Sequence, residues 1–411
     1  MDRVIPARLA GSSTDGSRLF ARVASAGFVL TGVVNTFLGP ILPVLAARWQ
    51  LSDSRSGYFF TTQFVGSMLG VSISSFLLPR RGFRFTIGLS YLLMAVGVGC
   101  LALSQWCYGL LGTLALGLGF GVAIPATNLL ISGANQHRRA SALSILNFCW
   151  GLGAVSAPLA LYLASRQNQV QTFVVLLSGL LLLAAMGTAI IGRTELKSDG
   201  KKSPEPQRTT TPKWRFVAMI GGMFFLYVAI EASVGGWIAT LAKRAPSGMA
   251  GSWVMAPSLF WGGLLAGRGI APLVLSRMRE RRMALASLTV AGTGMCILLV
   301  SSQWQWISAA GLVVGFGLAA IFPITVALLS HFQGMEKRRA GPMFAMAGLG
   351  GALMPWLVGA VSTWSGSLRA GLMVPLLAIG FLLWLHAAGN HGSEPVADQI
   401  LMKKSHPLPH Q

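Results

Sequence analysis

Acidic side chains are scarce in this chain: 11 Asp and Glu in 411 residues, against 32 Lys and Arg, with only 10% of residues charged. Soluble domains carry about 25% charged residues, so this chain lacks the means to cover a water-facing surface. The four cysteines, Cys100, Cys107, Cys149 and Cys296, lie in or beside apolar runs without C-x-x-C spacing. That excludes a disulfide scaffold or thiolate metal site and reads as small buried hydrophobes. The six histidines stand at the ends of apolar runs or in tails. An enzyme wants clustered His, Asp or Glu, or a nucleophile beside a base, and the sequence groups neither. No catalytic residue, metal or cofactor is therefore expected. The formal charge of +21 invites nucleic acid as a partner, but the basic residues fall in short clusters between apolar runs, with no basic stripe on a polar helix. Nucleic acid is not an expected partner.

Apolar length is what the chain has, with 53% hydrophobic residues and a mean hydropathy of +0.63. A membrane-spanning helix needs about 20 mostly apolar residues. Twelve such runs can be read, at 22–47, 57–78, 85–104, 107–132, 140–164, 171–191, 214–242, 252–275, 283–301, 306–330, 340–363 and 369–387. Gly and Pro inside several of them are tolerated, because neighbouring helices satisfy the freed backbone groups. The basic leader before the first run is too long for a signal peptide and a second span follows at once, so it is read as retained. With the N-terminus placed in the cytoplasm, 25 of the 32 basic residues fall on the inner side, 6 fall outside, and Arg268 is left within a span. By the positive-inside rule both termini are expected in the cytoplasm. The location is the cell membrane, multi-pass, and the inner membrane in a bacterial host.

The longest polar stretch, between spans six and seven, is rich in Ser, Pro, Lys and Thr and cannot build a core. The expected organisation is a cytoplasmic segment at 1–21, a six-helix bundle at 22–191, a cytoplasmic linker at 192–213, a second six-helix bundle at 214–387 and a cytoplasmic tail at 388–411. Offsetting the second half by about 196 residues aligns related strings. F-V-G-S-M-L at 64–69 meets F-W-G-G-L-L at 260–265, and G-L-G-A-V-S-A-P at 151–158 meets G-L-G-G-A-L-M-P at 348–355. Two parallel repeats of six spans are characteristic of secondary transporters, whose solute site lies near the bilayer midplane between the halves.

Twelve spans, the 6+6 repeat and basic loops after spans two and eight resemble the major facilitator superfamily over residues 20–387. In the loop after span two, S-F-L-L-P-R-R-G-F-R at 75–84 matches that superfamily's Gly-x-x-x-Asp-Arg-x-Gly-Arg-Lys motif at Arg80, Gly82 and Arg84. Ser75 and Pro79 stand where the motif has Gly and Asp. The strings E-A-S-V-G-G-W-I-A-T-L at 231–241, F-W-G-G-L-L-A-G-R at 260–268, I-F-P at 321–323 and G-L-G-G-A-L-M-P-W-L-V-G at 348–359 are similar to the fucose-permease-like branch of sugar:proton symporters. The resemblance implies two pseudo-symmetric six-helix bundles, alternating access, a sugar-like solute and an inner-gate role for Arg80, Gly82 and Arg84. That branch places working carboxylates on spans one and four. Here span one has Asn35 or Gly39 and span four has no acid, so its proton route does not transfer.

One carboxylate and one guanidinium remain well inside the spans, Glu231 and Arg268. A charge at the bilayer centre costs at least about 2.5–3.5 kcal/mol on insertion scales, which makes each a functional candidate. Glu231, with Tyr227 one turn earlier on the same face, is the candidate proton carrier or solute ligand; Asp53 is the loop alternative. Arg268 is a candidate solute ligand or gate. At 1.5 Å per residue the two lie roughly 10 Å apart along the membrane normal, so a bridge needs both side chains extended. Asn35, Gln63, Asn128 and Asn147 are amides suited to solute hydroxyls or to interhelical bonds. Trp150 and Trp237, ahead of Trp261 and Trp356, offer flat faces for a sugar ring. The expected function is secondary active transport of a small organic solute, a sugar or sugar derivative, coupled to protons through Glu231, by a monomer in the lipid bilayer. An exporter of drugs or metabolites is the alternative, with a membrane-embedded enzyme or a non-transporting sensor more remote.

Overall fold

The computed structural model describes residues 11–103, 105–135, 139–190, 214–245, 252–330 and 337–388. The linker at 192–213, residues 1–10 of the leader and the tail from 389 lie outside the described residues. The described chain is helical: α1 (Gly11–Trp49), α2 (Asp53–Cys100), α3 (Trp106–Ala134), α4 (Arg139–Arg166), α5 (Val170–Ile190), α6 (Trp214–Lys243), α7 (Met255–Leu275), α8 (Glu280–Val300), α9 (Trp304–Leu318), α10 (Ile321–Ser330), α11 (Lys337–Ser365) and α12 (Leu368–Ala388).

Among the described residues, eleven helical segments are long and apolar enough to cross a membrane. The twelfth span is inside α2. Straight, its 48 residues would run about 72 Å, more than twice a hydrocarbon core of about 30 Å. It breaks at Gly82, whose φ of 74° and ψ of 175° suit a residue without Cβ. Pro79, three residues earlier, already lacks the N–H that would bond the preceding turn. The two limbs return to the same end of the molecule, where Phe59 touches Gly109 and Cys100 touches Gly112, both near the start of α3. Spans two and three of the sequence reading are thus one hairpin with almost no loop. In span ten the chain turns at Ala319 and Ala320, between α9 and α10. Pro323 follows and cannot donate to the carbonyl of Ala319.

Helices α1–α5 pack mainly among themselves and α6–α12 likewise, and the two groups meet along α2–α11, α4–α7 and α1–α6. The internal repeat is visible in how the groups pack. Gly117 of α3 lies on the Gln63 carbonyl of α2, and Gly315 of α9 lies on the Phe260 carbonyl of α7. Gly153 of α4 lies on the Val29 carbonyl of α1, and Gly350 of α11 on the Phe225 carbonyl of α6. In each case a Cβ would collide with the carbonyl oxygen, so small residues set the closeness of the crossing. The perimeter is apolar. On α5, Leu176 is 67% and Leu183 64% exposed, a face that only lipid can cover without cost.

Hydrogen bonds between the groups gather at the end where α2 begins. Arg244 grips Asp53, and the Ser362 hydroxyl donates to the same carboxylate at 2.5 Å. The Ser54 N–H donates to the Thr363 hydroxyl at 2.8 Å, and Lys243 Nζ donates to the Pro43 carbonyl at 3.0 Å. This end is closed.

Candidate functional site

Glu231 and Arg268 meet. Glu231 Oε1 of α6 lies 3.8 Å from Arg268 Nη2 of α7, with side chains 15% and 32% exposed. The pair is closer than depth counting along the helices implies, for a geometric reason. α6 and α7 run in opposite directions, and Cα–Cβ bonds tilt toward each helix N-terminus, so the two side chains lean toward each other. Arg268 Nη2 also donates to the Tyr227 hydroxyl at 3.3 Å. Its guanidinium carbon stands 5.9 Å from the centre of the Trp150 ring on α4, within cation–π range. Arg268 is therefore held by two groups of its own half and one ring of the other.

One turn beyond Glu231 on α6, a cleft of about 50 Å³ opens between α1, α2, α6 and α7. Its polar wall is Asn35 and Gln63; its floor is bare backbone at Gly39, Gly235 and Gly236; Trp261 closes one side. Gln63 Nε2 donates to the Asn35 backbone carbonyl at 3.2 Å and to Asn35 Oδ1 at 3.4 Å. Trp261 stands edge-on to Trp150, with centroids 5.9 Å apart and planes at 83°. Cleft and ion pair are thereby linked through two tryptophans, Trp261 beside the cleft and Trp150 over Arg268.

Other candidates are placed elsewhere. Asn128 Nδ2 donates to the Ile124 carbonyl at 2.8 Å and Asn147 Nδ2 to the Leu143 carbonyl at 2.9 Å, each within its own helix. Trp237 is fully buried, donates to the Pro355 carbonyl at 2.8 Å and packs on Phe60. At the Gly82 turn, Arg84 Nε donates to the Thr188 carbonyl of α5 at 3.0 Å. Arg80 folds back on its own helix, over the Phe76 ring at 3.6 Å. Among the described residues neither arginine meets a carboxylate. The contact that sequence inspection missed is Arg244 with Asp53. Both sit at helix ends on the same side of the membrane with opposite charge, which is the signal that was available.

A family model of the Major Facilitator Superfamily matches residues 24–271. The chain belongs to the Major Facilitator Superfamily. Similar proteins include the glucose/mannose transporter of Bacillus subtilis, 22% identical over 81% of this chain and 85% of that protein. The glucose/galactose transporter of Brucella abortus is 22% identical over 88% of this chain and 92% of its own length. The sodium-dependent glucose transporter 1A of Mus musculus is 22% identical over 81% and 87%. Among solved structures, a bacterial homologue of the human lysosomal transporter Spinster, inward-facing and occupied, aligns with a TM-score of 0.73 at 13% identity, covering 90% of this chain and 95% of that one. A Major Facilitator Superfamily transporter, FucP, in the outward conformation aligns at 0.61 and 16%, covering 90% and 99%. The all-helical MFS fold, multi-pass membrane location and a transporter rather than an enzyme follow from this membership. In MFS terms the Glu231–Arg268 pair lies on spans seven and eight, and the cleft between spans one, two, seven and eight.

Proposed function

We propose that this MFS protein is a secondary active transporter of a sugar or sugar derivative, working by alternating access as a monomer and coupled to protons through Glu231. The observation that carries the proposal is Arg268. A single intramembrane guanidinium contacts Glu231 and Tyr227 in its own half and Trp150 in the other. A rocking motion that separates α4 from α7 strips Arg268 of Trp150 and changes the surroundings of Glu231, and a proton arriving on Glu231 dissolves the ion pair. Either event biases the other, as reciprocal linkage between two sites requires.

The solute reading rests on the chemistry of the cleft, where two amides and aromatic walls face an uncharged space. The names of the relatives, transporters of glucose, mannose or galactose, point the same way. Ligand sites for small molecules span about 300–1,000 Å³, so a cleft of about 50 Å³ must widen to admit a sugar. Both termini are assigned to the cytoplasm by the basic loops, so the Asp53 end is the outer one and this state is sealed from outside.

Uptake of labelled glucose, mannose, galactose and fucose into liposomes containing the purified protein tests the proposal, with an inward proton or sodium gradient imposed separately. Accumulation above equilibrium is expected with the proton gradient. Glu231→Gln should abolish accumulation and retain sugar counterflow. Accumulation driven by sodium alone, or undiminished in Glu231→Gln, overturns the coupling; no transport of any sugar overturns the solute class.

A further inference from the structure

We propose that Trp261 binds the solute directly, its indole N–H donating to a sugar hydroxyl or ring oxygen in the cleft; the proposal rests on the sugar reading above. Trp261 is 7% exposed, and its Nε1 is buried without a hydrogen-bond partner. Buried polar groups in folded proteins are nearly always bonded, and because the Trp261 nitrogen is covered, even a water held in the cleft does not reach it. A donor left idle on a residue that lines the cleft is free to serve an acceptor that arrives with a ligand. The neighbouring Phe260 packs edge-on to Trp261 at 5.1 Å and shows that an aromatic side chain on this helix needs no N–H to pack.

The absence of a Cβ at Gly235 leaves room for the ring. A Cβ built on Gly235 would stand 2.9 Å from Trp261 Cζ2 and 3.5 Å from Cε2, the carbon that carries Nε1. The Cζ2–Cε2 edge of the indole, next to the nitrogen, thus faces Gly235, which itself lines the cleft. Three further indoles, those of Trp49, Trp150 and Trp356, also have buried nitrogens without a partner, but of the four only Trp261 lines the cleft. The indole therefore lines the same space as Asn35 and Gln63; its N–H is covered in this state, and the widening that admits a hydroxylated ring would uncover it, so that the ring meets an N–H from the second half and amides from the first. Such a solute ties the two halves together when bound.

The test compares wild type with Trp261→Phe, which keeps the aromatic body and removes only the donor. Affinities are measured for glucose, its monodeoxy analogues and the carba-analogue lacking the ring oxygen. A site built to bond a given oxygen rejects the analogue that lacks it. One analogue should bind wild type about tenfold more weakly than glucose, the worth of one hydrogen bond. Trp261→Phe should bind glucose about tenfold more weakly and show no further loss with that same analogue. Gly235→Ala, which pushes on the indole edge without removing it, should weaken glucose binding selectively over the analogue and guards against a folding defect in Trp261→Phe. Wild-type affinity for glucose in Trp261→Phe, or an undiminished penalty for every analogue in that variant, overturns the role of Trp261 while leaving the sugar reading intact. Failure of wild type to bind any sugar overturns both.

Discussion

Asp53 and Arg244, 191 positions apart in the chain, form a two-point ion pair, with Nη1 donating to Oδ2 at 2.7 Å and Nη2 to Oδ1 at 2.5 Å. The carboxylate is 10% exposed and also accepts from Ser362, so it ties the first turn of α2 to both α6 and α11. Asp53→Asn should loosen this closure. The guanidinium is 48% exposed, so solvent screening limits the effect to about 1 kcal/mol, roughly a fivefold shift in the closed-to-open ratio. Spin labels at Leu51 and Ser365 should report more of the longer distance. The charge-reversed double variant Asp53→Arg with Arg244→Asp should recover the short one, and an unchanged distribution in Asp53→Asn would remove the latch.

Breaking the intramembrane pair from one side should cost more than removing it whole. Arg268→Gln leaves Glu231 beside Tyr227 without its guanidinium; for buried pairs such a loss is about 3–5 kcal/mol, and the partial exposure here puts it at the lower end or below. The double variant Glu231→Gln with Arg268→Gln should melt higher than Arg268→Gln alone. Melting in detergent, followed by loss of monodisperse protein, measures the difference.

Gly117 and Gly315 should respond alike to a methyl group, because each lies on a carbonyl oxygen of the partner helix. Gly117→Ala and Gly315→Ala should each destabilise by about 1–3 kcal/mol through overpacking. Gly179→Ala is the contrast. A Cβ there meets nothing within 4 Å, so better helix propensity should leave stability equal or raised by up to about 1 kcal/mol.

The orientation can be read from one native thiol. Contrary to the sequence reading of buried cysteines, Cys107 is exposed near the start of α3, at the end closed by Asp53 and Arg244, and Cys296 is exposed near the end of α8. In a Cys296→Ser background, a membrane-impermeant maleimide applied to intact cells should label the protein, and adding Cys107→Ser should abolish most of that signal. Labelling only after permeabilisation would invert the topology.

The twelve spans were legible because bilayer thickness sets a length that apolar runs report directly. The glycine crossings were legible as repeated strings, though which carbonyl each meets depends on helix rotation. Which face of a span looks inward was far less visible: these helices are apolar around most of their circumference, so the periodicity that marks a buried face in a soluble helix is weak. Hence the sequence reading put Trp237 ahead of Trp261, whereas the structure turns Trp237 to the Pro355 carbonyl and sets Trp261 at the cleft. Asn35 and Gln63 share a wall because α1 and α2 cross there, a fact of packing that no spacing encodes. Glu231 and Arg268 stood out by scarcity alone, since charge inside a span is expensive enough to need a reason.

The turn at Gly82 bears on how the protein is made. With α2 running to Cys100 through a single positive-φ residue, the second and third spans leave the ribosome joined by almost no polar chain. Arg80, Arg81 and Arg84 crowd the tip of that hairpin, and three guanidiniums so close together set a barrier against drawing the tip into the hydrocarbon.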